Sequence, residues 1–125
     1  MNLDLEAAKA AQEIINNTAE NKSSEVENLV TKTLGVLQEN GVYACMLFLY
    51  SRTSGTDKAV SKVTRERLLK MTELLDKKPD GNDKAENVLK FLTKHICNDL
   101  DTLFLTKQLW EQTLIYARYG AKARE

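Results

Sequence analysis

Along most of this chain apolar residues recur every three or four positions, the spacing that gathers them on one face of an α-helix. From about Leu3 to Ala19, Leu3, Ala7, Ala11, Ile14 and Ile15 form one stripe, with Asp4, Glu6 and Glu13 outside it. Acids in a first turn suit the positive end of a helix. Asn16-Asn17-Thr18 and Asn21-Lys22-Ser23 are poor helix formers and predict a link. Ser24, with Glu27 three residues on, predicts a capping box. The second helix it opens has Val26, Leu29, Val30, Thr33 and Leu37 inward, and Asn40-Gly41 closes it, glycine being suited to the left-handed turn that ends a helix.

The stretch from Asn40 to Tyr50 breaks the alternation, because Val42, Cys45, Met46, Leu47, Phe48 and Leu49 leave no polar side. It is too short to cross a bilayer, which takes roughly 20 residues. A buried strand has the same signature, but every neighbouring segment is helical and nothing would complete a sheet. A helix that is apolar all round must be enclosed by others. The stretch is therefore expected to be the buried centre, with Val42 to Leu49 the most buried segment and Leu47→Ala costing about 2 to 5 kcal/mol through the cavity it leaves.

Arg52 to Val60 is polar and without apolar period, which predicts a mobile loop. A helix then runs from about Ser61 to Lys77, with Val60, Val63, Leu68, Met71, Leu74 and Leu75 inward and Lys62, Arg65, Glu66 and Lys70 outward. Lys77-Lys78-Pro79-Asp80-Gly81-Asn82 stops it. Asp83 and Glu86 start the next, whose stripe is Ala85, Val88, Leu89, Leu92 and Ile96. Asn98 to Thr102 interrupts the pattern, and Thr106 is the expected cap of a last helix from Lys107 to about Ala123. Its apolar band holds Leu109, Trp110, Thr113, Leu114, Tyr116, Ala117 and Gly120, with Gly120 and Ala121 small enough for another backbone to approach. One proline and five glycines leave little room for the turns of a sandwich or barrel. The expectation is an all-α fold, a compact bundle of about five to six helices around a central buried helix, forming a single domain over residues 1–125.

Composition narrows function mostly by exclusion. Hydrophobic residues at 42% and charged residues at 29% are those of an ordinary soluble domain. The only histidine is His95, with no nucleophile motif beside it, so no catalytic triad can be assembled and no enzyme is expected. His95 is expected to be a partly buried structural residue. Together with Cys45 and Cys97 it gives at most three soft ligands where zinc usually takes four, and the glycines are scattered singly, so neither metal nor cofactor is expected. An apolar surround keeps Cys45 protonated and inert. Two thiols in apolar or helical context, with no signal-peptide pattern ahead of them, lead to the expectation of a cytoplasmic protein without a disulfide or a membrane segment.

Charge adds a polarity that the zero net total hides. Residues 1–39 hold seven acids and three bases, a balance of −4, whereas residues 52–78 hold eight bases and four acids, a balance of +4. Residues 104–124 add four bases to one acid. Two faces of opposite sign follow, one for an anionic partner and one able to meet a basic surface. Lys58, Lys62 and Arg65 stand at i, i+4 and i+7, and Arg118 and Lys122 form a second i, i+4 pair. These five are the candidate contacts for an anionic partner, the alternative being solvated charges with Glu66, Glu73 and Asp76 as their partners.

Asn40-Gly41-Val42 leading into Met46-Leu47-Phe48-Leu49, with the stripe Leu29 to Leu37 before it, resembles the Asn-Gly-Leu and Leu-x-Phe-Leu core of the small helical subunit of the type III-B CRISPR (Cmr) effector complex. Tyr116-Ala117-Arg118-Tyr119-Gly120-Ala121-Lys122-Ala123 is similar to that family's last helix, and the Ala-rich first helix with Lys9 to its first. The chain departs from the family where arginine is usual in the first helix, and in carrying Gly120 as an extra small residue. The resemblance implies a non-catalytic subunit that stacks in several copies with the other effector subunits and supports guide RNA and target RNA, with Lys58, Lys62, Arg65, Arg118 and Lys122 holding phosphates without reading sequence. Neighbouring readings are the small subunit of a type III-A or type I effector, or a helical protein-interaction adaptor using a surface of Trp110, Tyr116 and Tyr119.

Overall fold

The computed structural model describes residues 1–124 and, among them, contains helices and no strand. The helices are α1 (Leu3–Asn17), α2 (Ser23–Asn40), α3 (Val42–Ser51), α4 (Gly55–Met71), α5 (Ala85–Phe91) and α6 (Leu100–Ala123). A 3₁₀ turn, Thr72–Leu75, tightens the end of α4, and a π-turn, Leu92–Ile96, widens the end of α5. One apolar cluster draws on all six helices, making the all-α bundle that the periodicity predicts. No described helix is long and apolar enough to cross a membrane.

The axis of the bundle is α6, against which α1 and α2 lay most of their buried faces. Leu109, Trp110, Leu114, Ala117 and Ala121 line its inner side, each no more than 1% exposed. Gly120 lets α1 approach, since a Cβ there would stand 3.1 Å from Cγ1 of Ile15. At the junction of α4 and its 3₁₀ turn, the Thr72 N–H bonds to the carbonyls of Leu69 and Lys70. The Leu68 carbonyl instead accepts the Trp110 indole N–H at 2.8 Å. Thr18, Thr33, Thr64 and Thr113 are buried, yet each hydroxyl donates to the carbonyl four residues earlier, which satisfies it within its own helix.

The α3 segment is less enclosed than its composition predicts. Val42, Cys45, Met46 and Leu49 are buried, whereas Tyr43 is 39% and Leu47 49% exposed. With neighbours on only part of its circumference, this helix leaves apolar residues over for the surface, which carries much apolar area in any folded protein. Leu47 therefore lies outside the core. The break before α3 is Gly41, at φ 96° and ψ −172°, a region open essentially to glycine alone and more extended than the left-handed turn expected there. Its N–H bonds to the Leu37 carbonyl and its own carbonyl accepts from Cys45, so one residue ends α2 and begins α3.

Two helices start earlier than the apolar pattern indicates. α4 takes in most of the expected loop, leaving only Arg52, Thr53 and Ser54 between helices. α6 begins at Leu100 under an Asp99 cap, so Thr106 is a buried interior residue donating to the Thr102 carbonyl. The predicted capping box on α2 does not form, because the helix begins at Ser23 with Lys22 at the cap position. Ser23 instead meets Arg124, whose guanidinium also donates to the carbonyls of Ile15, Thr18 and Asn21 at 3.0, 3.2 and 2.7 Å. That one side chain closes the end of α1 and the link after it.

Candidate nucleic-acid interface

Lys58 and Lys62 stand exposed on the first turns of α4. Neither closes an ion pair among the described residues, in which Lys9 pairs with Glu6, Arg67 with Glu13 and Lys90 with Glu86. Arg65, third of the expected row, is only half-exposed. Its guanidinium lies 4.5 Å from the centre of the Tyr50 ring. Tyr50 is itself fixed, its hydroxyl donating to the Asp83 carbonyl. Burial raises the Tyr50 hydroxyl above its usual range, Arg65 works against that rise, and Asp83 and Glu66 add to it, so the phenol stays neutral.

Arg52 joins this corner although the charge spacing does not single it out. Its guanidinium lies 4.7 Å from the centre of the Phe48 ring, and its carbonyl accepts from the Ser61 hydroxyl of α4. Two arginines resting on α3 aromatics thus flank two free-standing lysines on α4. Cations over aromatic faces hold their direction at modest cost while keeping their charge. The sequence signal for Arg52 was its place four residues after Phe48, beyond the last helical residue of α3.

Arg118 and Lys122 are exposed on α6, away from the α4 corner. α4 and α6 meet where Leu68 faces Trp110 and Met71 faces Thr113. α1 packs on both helices, its Glu13 pairing with Arg67 of α4 and its Ile15 lying against Gly120 of α6. The five expected contacts are thus carried by two different helices. On the acidic side, Asp4 accepts from the Tyr116 hydroxyl and Glu13 and Glu6 are paired, which leaves Glu20 on the link and Glu25, Glu27 and Glu39 on α2, Glu20 and Glu39 exposed and Glu25 and Glu27 half-buried.

The aromatic surface expected of an adaptor does not exist as one patch. Trp110 is wholly buried, Tyr116 is tied to Asp4, and of the three only Tyr119 is open, at 66%. His95 is exposed rather than partly buried, its ring 5.7 Å from that of Phe91. Burial pushes the Cys45 thiol up to about 12. No three His, Cys, Asp or Glu side chains converge on a point among the described residues. No protein family, curated protein or solved structure matches the chain, so what this surface does is argued from its own residues.

Proposed function

We propose that the chain is a non-catalytic, RNA-contacting subunit that stacks in several copies inside a ribonucleoprotein, of the kind its resemblance to the small Cmr subunit implies. The observation that carries this reading is the α3–α4 corner, where Lys58 and Lys62 project from a rigid helix with no carboxylate partner among the described residues, beside Arg52 and Arg65. Such a surface grips phosphates and ignores bases. Arg118 and Lys122 give a second, separate grip. Stacking is supported by the outward acids of α2, which offer the next copy a surface of opposite sign, and by Leu100 and Phe104 on the first turns of α6, 67% and 59% exposed.

The test is RNA binding by the assembled complex over a range of salt. Lys58→Glu with Lys62→Glu should leave assembly intact, weaken all RNA sequences about equally, and lower the slope of log affinity against log salt by about 0.7 per lost contact. Glu25→Lys should disturb stacking between copies and spare the RNA contact of a single copy. Parental RNA binding by the lysine double variant at every salt concentration would refute the reading.

A further inference from the structure

A second group of cations lies outside this interface, around a recess of about 170 Å³ between the Lys78–Asp80 loop and the end of α5. Lys78, Lys90, Lys94 and His95 all line it, and Asp80 is the one carboxylate on its wall. Lys90 also holds Glu86 at 3.3 Å, a pair with both side chains largely in solvent and hence weak and easily exchanged. Lys78 and Lys94 close no ion pair among the described residues.

The recess is built rather than incidental. The Asn87 amide donates to the backbone carbonyls of Asp80 and Asn82, fastening the loop that carries Lys78 onto α5. On the other wall the helix widens into the π-turn, closed by the Cys97 N–H on the Leu92 carbonyl at 2.7 Å. Lys94 and His95 sit within that turn, with His95 against the Phe91 ring. A π-turn inserted into a helix costs regular hydrogen bonding and often marks a functional position.

We propose that this recess binds a phosphate group. An open hollow of about 170 Å³ has room for one phosphate and does not enclose a larger ligand. The remainder of the ligand must therefore lie outside, as with a phosphate of a nucleic-acid strand, or be absent, as with the free ion. Three lysines against Asp80 and the exchangeable Glu86 supply the attraction, and imidazole N–H and ammonium groups supply donors. The proposal does not depend on the α4 corner contacting RNA.

The experiment follows backbone amide resonances of the full chain as inorganic phosphate is added at constant ionic strength, with chloride as the balancing anion. Saturable shifts at Lys78, Asn87 and Lys90 to Ile96, with none at Lys58 or Lys62, are expected. Lys90→Glu with Lys94→Glu, both exposed, should weaken binding about tenfold or more. Asn87→Ala, which frees the loop, should weaken it while all three lysines remain. A short single-stranded RNA that displaces the phosphate identifies a strand as the source, and one that does not identifies the free ion. Shifts that never saturate, that appear equally at Lys58 and Lys62, or that persist in the double charge reversal would overturn the proposal.

Discussion

Leu47 and Leu49 sit two positions apart in the same apolar run, and their fates differ by the side of α3 they occupy. Leu49 is wholly buried and Leu47 is 49% exposed. Leu49→Ala should cost about 2 to 5 kcal/mol, since it empties space in a packed core, whereas Leu47→Ala should stay within about 1 kcal/mol. Thermal or denaturant unfolding of the two variants checks this, and equal losses would mean that Leu47 is covered in solution. The two thiols divide in the same way. Burial raises both, but Cys45 to about 12 and without access to solvent, while Cys97 is only partly covered. A thiol reagent at neutral pH should therefore label Cys97 in the native protein and reach Cys45 only on unfolding. Labelling of Cys45 at the same rate as Cys97 would contradict its burial.

At the scale of elements, the ends of helices carry the stability that the apolar stripes do not. Arg124→Ala removes the donors that serve the carbonyls of Ile15, Thr18 and Asn21, and should cost about 2 to 3 kcal/mol. Arg124→Lys should recover only part, because an ammonium cannot span several acceptors as the planar fork does. Calorimetry on both variants measures the difference. The cap of α6 titrates. Hydrogen bonds from the Thr102 side chain and backbone hold Asp99 below the usual carboxylate range. A lowered folded-state value means that its contribution is present above the ordinary Asp range and fades as pH falls through the folded value. Amide exchange in the first turn of α6 should thus accelerate in acid, and Asp99→Asn, which caps without titrating, should remove that dependence.

These ends were also where the sequence was hardest to read. The stripes of α1, α2 and α5 were legible because alanine, leucine, valine and isoleucine carry them. The start of α4 was not, because Gly55 to Ala59 places no buried residue there to mark a helix, and the start of α6 was not, because Thr106, buried and bonded to the Thr102 carbonyl, looked like a cap. The apolar run of α3 misled in the opposite sense, since composition cannot say how many neighbours a helix has. Arg124, in a charged terminal run, gave no sign that it reaches back to residues 15–23.

Taken as a whole, the molecule keeps its opposite charges apart, with bases on α4 and α6 and outward acids on α2. The polarity was legible as a count of residues along the chain. How its basic helices pack was not, since that rests on Trp110 reaching the Leu68 carbonyl and on α1 lying against both α4 and α6. The basic recess at the end of α5 was equally hidden. Lys78, Lys90, Lys94 and His95 have no common period, and only the Asn87 tether and the π-turn bring them to one hollow.

The place of α6 in the bundle has a consequence for how the protein is made. α1 and α2 are synthesised well before α6, the surface they pack on. Helices of 15 and 18 residues are marginal by themselves in water. The contacts that hold them span about a hundred residues of chain, an unusual loop to close in an all-helical protein. The nascent chain thus leaves a large part of the apolar faces of α1 and α2 uncovered until α6 is made, and a pause or truncation within α6 would release helices without their main packing surface.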